Sequence, residues 1–356
     1  MPYVKRIIQA GAGTGKTTLL IKEALSNIKE GKVLYLTYTR NNLRSMKDDI
    51  LKDKGFIPKE IECRTWIEFL LNELAKPYRK LVEIPAIEGL DNTMESKIPK
   101  KKGVTTENGK YYINRQNKLY SERLAQFICK VNSKINGMVF NRINKMYSTI
   151  LIDEVQDLNG YDLEIVKELY NLECNIIIVG DHRQSTYSTN SGRRYSKYKN
   201  SKIFNFFKEE MSIKEIEQLN DCYRCNQEIC DFVNPLYDDL ELRAVRKSKI
   251  LEDEGIILIE NQSNLLSHIQ NREPTILHYD KRIFKKAEKY GLTNNLEYLT
   301  FGTSKGVTRD HVLIFPTSEM KNHAMRIDTN FKEQSLAKYY VALTRARHSV
   351  AIYIGK

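Results

Sequence analysis

The sequence predicts an α/β protein built from two parallel-sheet lobes. Three observations carry that expectation. A glycine-rich loop, Gly11-Ala12-Gly13-Thr14-Gly15-Lys16-Thr17-Thr18, follows one apolar strand-like run and opens a helix. Short apolar runs alternate with amphipathic ones along both halves, the pattern of β–α units. At 356 residues, 41% hydrophobic and 29% charged, the chain has the size and composition of two ordinary globular domains.

The elements follow in order. Tyr3–Ala10 reads as a strand and Thr17–Glu30 as a helix with Leu19, Leu20, Ala24 and Leu25 inward, closed by Gly31. Val33–Tyr38 is a second strand, Asn42–Lys52 a helix, Ile61–Cys63 a short strand, and Trp66–Leu74 a helix. From Lys76 the periodicity fails, with Pro77, Pro85, Pro99, Gly89, Gly103 and Gly109 marking loops, until a helix near Leu119–Val131. Strands resume at Thr149–Asp153 and Asn175–Gly180, with a helix through Tyr170 between them. In the second half a helix spans Asn220–Tyr237, and strands are expected at Gly255–Glu260, Thr275–His278, Leu296–Phe301, His311–Phe315 and Ser349–Ile354. Tyr340–Arg347 reads as an arginine, Arg345, between two strand-like runs.

The net charge of +12 suggests a polyanionic partner. Residues 76–145 hold 15 basic and 6 acidic side chains, so +9 of that excess lies in one fifth of the chain. A lysine-rich solvated face would give the same count, so charge alone does not decide. No apolar run approaches a membrane span, and the six scattered cysteines fit a reduced, cytoplasmic protein.

The chemistry starts at the loop, read on the phosphate-binding pattern G-x-x-x-x-G-K-[ST]. Its backbone N–H groups face phosphate oxygens, Lys16 reaches the β/γ-phosphates, and Thr17 meets Mg²⁺. Asp153 ends a buried strand, where a carboxylate can hold that ion, and Glu154 beside it can deprotonate an attacking water. Gln184, after the strand Asn175–Gly180, stands where a γ-phosphate sensor is useful. Its bland reading is a turn residue.

In this order the blocks resemble superfamily I DNA helicases of the UvrD/Rep/PcrA type. They are the P-loop, L-T-Y-T-R at 36–40, T-W-I-E-F at 65–69, D-E-V-Q-D at 153–157, G-D-H-R-Q-S-T-Y at 180–187, Y-R-C at 223–225, T-S-K-G at 303–306 and Y-V-A-L-T-R-A at 340–346. The resemblance implies two RecA-like P-loop domains with ATP in the interdomain cleft and a single strand across the top. It implies Glu154, Gln184, Arg224 and Arg345 as catalytic groups, the two arginines acting as fingers. Gly11, Ala12, Gly13, Thr14, Gly15, Lys16, Thr17, Thr18 and Tyr223 hold the nucleotide, and Thr17 and Asp153 hold Mg²⁺. For nucleic acid the expected contacts are Tyr38, Thr65, Tyr187, Arg193, Arg194 and Ser304, with single-stranded DNA first and RNA as the alternative. Trp66 is expected in the core.

The resemblance also implies boundaries. The first RecA-like domain takes 1–75 and 146–219, a basic accessory insertion takes 76–145, and the second domain takes 220–356. The chain departs from the pattern in four places. About ten residues precede the P-loop, too few for an upstream adenine-reading glutamine motif. Thr189 and Asn190 stand where an aromatic and an arginine are usual. Gly302 and Thr308 replace a histidine and an acid, and Lys305–Val312 looks like the RecD/Dda branch, which moves with opposite polarity. Only about 80 residues separate Arg224 from Lys305, where the UvrD type inserts a large accessory domain. Strand separation would then depend on the basic insertion or on a protein partner. Cys222, Cys225 and Cys230 invite a zinc reading but lack an evident fourth ligand.

Overall fold

A computed structural model describes residues 2–100, 102–186, 194–245, 254–280, 283, 290, 292 and 295–355. The chain divides into two compact units, residues 1–8, 16–180 and 187–217, and residues 9–15, 181–186 and 218–356. The sequence-based boundaries differ from these at the phosphate loop and at residues 181–186.

A six-stranded sheet has most of its residues in the first unit, with 9–10 and 218–219 counted in the second. Its strands are β1 (Lys5–Ala10), β2 (Val33–Thr37), β3 (Ile61–Thr65), β6 (Thr149–Ile152), β7 (Asn175–Gly180) and β8 (Glu217–Leu219), in the order β3-β2-β6-β7-β1-β8. β4 (Gly89–Asp91) and β5 (Lys118–Tyr120) pair separately. The ladders β2–β3, β2–β6 and β6–β7 are parallel, so the segments leaving those strands all emerge at one carboxyl edge, where α/β sheets bind ligands. Strands β2 and β6 are buried along their whole length, which is why they read as unbroken apolar runs.

Helix α1 (Lys16–Asn27) starts inside the glycine loop and buries Leu20, Ile21 and Ala24. Leu19 and Leu25 are only half-buried, so the inner face is centred on Ile21 rather than where the sequence put it. Helix α2 (Arg40–Lys54) is capped by Thr39, whose hydroxyl accepts from the Asn42 N–H, and ends at Gly55 with φ 77°. The helix expected over Trp66–Leu74 is α-helical only at α3 (Trp66–Phe69), then loosens to a π-helix over Leu70–Ala75. Trp66 is in the core as expected, 2% exposed, its indole N–H donating to Asp162 at 2.8 Å.

The stretch expected to be irregular contains β4, β5 and short 3₁₀ turns, then α4 (Leu124–Lys134) and α5 (Met138–Met146). The helix foreseen at Leu119–Val131 therefore begins five residues later, because Leu119 and Tyr120 belong to β5. Helices α4 and α5 bury Leu124, Phe127, Ile128, Val131, Val139, Phe140 and Ile143 in the same core as Ile150, Ile152 and Ile176. Helices α6 (Tyr161–Tyr170) and α7 (Ile203–Glu210) complete that core.

The second unit contains a five-stranded sheet, order β11-β15-β14-β12-β13. These are β11 (Gly255–Ile259), β12 (Thr275–His278), β13 (Tyr298–Thr300), β14 (Arg309–Phe315) and β15 (Ala346–Tyr353), and every ladder is parallel. β9 (Asp221–Cys222) and β10 (Arg243–Ala244) form a small parallel pair. Helices α8 (Gln227–Val233), α9 (Gln262–Arg272), α10 (Ser318–Ala324) and α11 (Glu333–Leu343) pack around the sheet. The helix expected over Asn220–Tyr237 is shorter, because Asn226 caps α8 through the Ile229 N–H and leaves Tyr223–Cys225 as loop. Tyr340–Leu343 is the last turn of α11 rather than a strand. A short run that is apolar on every side does not separate the two states by periodicity. No helix among the described residues is long and apolar enough to cross a membrane.

Candidate nucleotide site

The glycine loop leaves β1 at Ala10 and enters α1 at Lys16. Counted on its four-residue spacer, the G-x-x-x-x-G-K-[ST] pattern opens at Ala10 rather than at Gly11. Gly13 and Gly15 have φ of 72° and 82°, a region that L side chains adopt at a cost. Space enforces the first of these. A Cβ on Gly13 would stand 2.7 Å from Arg224 Cβ and 2.9 Å from Cys222 Sγ. Thr14 Oγ1 donates to the Gly11 carbonyl at 2.9 Å and closes the turn.

Lys16, Thr17 and Thr18 open α1 in the first unit, Lys16 and Thr17 half-buried and Thr18 exposed. In the same unit Asp153 follows β6. Its Oδ1 accepts from the Glu154 N–H at 2.9 Å and its Oδ2 from the Tyr35 hydroxyl at 3.1 Å. Burial, then the neighbouring Glu154 charge, push the Asp153 carboxyl well above the usual carboxylate range, and the nearby Lys16 ammonium opposes them. A bound cation would relieve that electrostatic load, so this donor set fits a divalent metal. Glu154 has φ 58°, a left-handed conformation that costs a non-glycine residue about 1 kcal/mol or more. Its carboxylate accepts from the Gln156 side-chain amide. Gly180 lets Gln156 approach, since a Cβ there would lie 2.7 Å from Gln156 Oε1.

The second unit gathers the other half of the expected machinery. Gln184 donates its amide to Asp181 Oδ2 at 2.7 Å, and its Oε1 accepts from Arg345 Nη2 at 3.2 Å. Asp181 Oδ1 in turn accepts from Arg183 Nε at 3.1 Å. Arg345 is 2% exposed and also donates from Nε to the Val341 carbonyl at 2.8 Å. Arg224 donates to the Thr344 carbonyl at 3.0 Å. The two arginines are therefore tied to one turn, the one joining α11 to β15. Tyr223 is 62% exposed, its N–H donating to the Gly13 carbonyl at 2.9 Å, with its ring beside Gly15.

Sequence reasoning missed three groups here. Tyr35 holds Asp153. Tyr340 accepts the Ala12 N–H at 3.2 Å. Arg183 lies buried with its charge over the Tyr340 ring at 4.8 Å and with Nη2 lacking a hydrogen-bond partner. The signal for Arg183 was its place inside G-D-H-R-Q. For the two tyrosines nothing local pointed to the contact.

The expected nucleic-acid residues divide. Tyr38 is half-buried at the carboxyl end of β2. Thr65 is buried and caps α3 in a reciprocal box with Glu68, and Ser304 is fully buried with its hydroxyl on the Phe301 carbonyl at 2.9 Å. Both side chains are buried, Thr65 as a helix cap and Ser304 bonded within its own turn. Arg194 pairs with Glu164 and lies over the Tyr161 and Tyr195 rings. Tyr187 and Arg193 lie outside the described residues. Cys222, Cys225 and Cys230 are buried in the core of the second unit, where the Cys225 thiol faces the Thr344 carbonyl at 3.8 Å.

The chain is similar to several known proteins. A probable DNA helicase II homolog of Mycoplasma pneumoniae is 24% identical over 289 residues, 65% of this chain and 39% of that protein. The Gabija protein GajB of Bacillus cereus is 25% identical over 261 residues, 68% of this chain and 48% of that one. The helicase Rep of Buchnera aphidicola is 44% identical over 55 residues, 15% and 8% of the two chains. An Arterivirus nonstructural protein 10 helicase structure covers 98% of this chain and 59% of its own at a TM-score of 0.48 and 13% identity. The chain spans less than half the length of the curated relatives it matches. The UvrD/REP helicase N-terminal domain matches residues 3–90 and 109–202, just over half the sequence, and the chain belongs to that helicase family.

Proposed function

We propose that this chain is an ATP-hydrolysing motor that moves on single-stranded DNA, coupling turnover to closure of its two RecA-like domains on ATP in the cleft between them. The observation that carries the reading is the contact of Gln184 with Arg345, partners 161 positions apart in sequence. A phosphate sensor held on a guanidinium is what a γ-phosphate-linked switch requires. In this reading residues 1–75 and 146–219 form the first domain, 76–145 a basic insertion, and 220–356 the second.

The roles follow from the chemistry of each group. Backbone N–H groups of Gly13–Gly15 and the Lys16 ammonium bind the triphosphate, Gly11 and Ala12 shape the loop with their N–H groups held by Leu219 and Tyr340, and Tyr223 stacks on the base. Thr17 and Asp153 hold the Mg²⁺ that neutralises phosphate charge when bound. Glu154 takes a proton from water as its oxygen bonds to the γ-phosphorus. The bond to the β–γ bridging oxygen breaks, and ADP leaves with the electron pair. Arg224 and Arg345 offset transition-state charge, a contribution of roughly 10³–10⁵ in rate where fingers act. Tyr38 and Arg194 are the remaining described candidates for the strand.

A second reading, a nucleic-acid-dependent ATPase switch without processive unwinding, is favoured by the short span between Arg224 and Lys305. RNA is the alternative strand. ATP hydrolysis measured with single-stranded DNA, duplex DNA and RNA tests the motor, and displacement of a labelled strand from 3′- and 5′-tailed duplexes separates motor from switch. Lys16→Ala should lower turnover roughly 10²–10³-fold, the scale of losing one group that stabilises transition-state charge, while strand binding persists. Hydrolysis that ignores every nucleic acid would defeat the proposal.

A further inference from the structure

Side chains between Ile98 and Arg123 line a half-open cavity of about 260 Å³ that the nucleotide chemistry does not use. Its frame is well anchored. The parallel pair β4–β5 sets Asp91 opposite Tyr120, and buried Tyr112 packs edge-on against Phe127 of α4 at 5.3 Å. Arg123, buried, bonds Glu95 through Nε at 2.8 Å and Nη2 at 2.6 Å, and lies 3.8 Å over the Tyr111 ring. That guanidinium is neutralised, and its work is to hold the ring as a wall.

The rim carries positive charge. The described residues 97–100 and 102–110 hold four lysines and one acid, Glu107, and Glu107 is paired with Lys130. Ile98, Val104, Tyr111 and Tyr120 line the cavity, and exposed Lys100 and Lys110 border it. Sites for whole drug-sized ligands run roughly 300–1,000 Å³, so this one holds a single ring with its substituents. Aromatic and aliphatic walls under a cationic rim match a base joined to a phosphate.

We propose that this cavity takes one unpaired nucleotide of a nucleic-acid strand, its base against Tyr111 and Tyr120 and its phosphate on Lys100 and Lys110. The proposal rests on the strand-binding reading above and names where the insertion meets the strand. The test uses the full chain, a fluorescein-labelled twelve-residue oligothymidylate, and a twin oligomer carrying 5-iododeoxyuridine. Irradiation should cross-link the iodinated oligomer to Tyr111 or Tyr120, located by peptide mass spectrometry. Lys100→Ala/Lys110→Ala, both at exposed positions, should weaken binding about tenfold at low salt. It should also flatten the log affinity–log salt slope by about 1.4, the loss of two single-strand phosphate contacts.

Cross-links confined to other residues, or an unchanged slope, would overturn the assignment. Inorganic tripolyphosphate that competes as well as the oligomer, without any tyrosine cross-link, would mark a bare anion rim and overturn it too. A wild-type chain that binds no oligomer overturns the strand-binding reading itself. Binding without these marks overturns only the cavity.

Discussion

At the scale of single residues, chemistry sits where side chains are held by groups remote in sequence. Asp153 is fixed by a tyrosine 118 positions away, and Ala12 by one 328 positions away. The positions of Lys16, Asp153, Glu154 and Gln184 beside strand ends were legible because each belongs to a short run there, while their roles belong to the proposed function. Tyr35 and Tyr340 were not, because inside apolar runs they look like core. Tyr35→Phe keeps the ring and removes the donor. Losing an outer-shell hydrogen bond to a metal ligand commonly costs 10–100-fold in metal affinity or activity. Under the proposed roles, with Asp153 holding Mg²⁺ for ATP hydrolysis, the Mg²⁺ concentration for half-maximal turnover should therefore rise about tenfold, read by titration at saturating ATP. An unchanged Mg²⁺ requirement would show that Tyr35 is only packing.

At the scale of elements, caps and sheet ends decide which expectations survive. β7 and β12 lie where the sequence placed them, because buried parallel strands bounded by polar turns leave little choice of limits. The Leu70–Ala75 π-helix and the helical end of α11 were unreadable, since neighbouring helices rather than local periodicity set them. Thr65→Ala tests the capping role of that side chain. Removing the cap should cost about 1 kcal/mol of stability, seen as a lower urea midpoint, with affinity for single strands unchanged. A large loss of strand affinity with normal stability would restore Thr65 to the groove.

The second unit also carries an acid sensitivity. Burial lowers His268, His278, His311 and His323 below the ordinary imidazole value of 6.5. The charges of Arg272 and His348 lower His311 further, against the opposing pull of Asp310 and Glu254. At these four imidazoles the unfolded chain binds more protons than the folded one as pH falls below 6.5, so they withdraw stability there, while Asp153, its carboxyl raised to about 7, works the other way. The thermal midpoint should fall between pH 7.5 and pH 5.5. His268→Gln/His323→Gln should show a smaller fall, and an identical one would remove the imidazoles as its cause.

At the scale of the whole molecule, the fold class and both parallel sheets were legible, since a P-loop after a strand and repeated β–α alternation admit few architectures. The tertiary role of residues 76–145 was not. Lost periodicity and clustered charge suggested a basic accessory insertion in the first domain, and its Leu124, Phe127 and Ile143 lie in the main core. A Phe127→Ala change should cost about 3–5 kcal/mol, the usual toll of emptying a core aromatic site. Far-UV circular dichroism in urea checks it, and a loss under 1 kcal/mol would mean that α4 is peripheral.

That embedding sets a rule for anyone who swaps parts between related chains. The piece between β4 and β5 is no separable cassette either, because Tyr112 and Ile113 lie in the same core and the parallel register sets its two ends at opposite ends of the ladder. A graft cut there should lower the scaffold's stability, because it removes core side chains. A graft cut at 76 and 145 would carry away two helices that the scaffold cannot spare, and the chimera should aggregate.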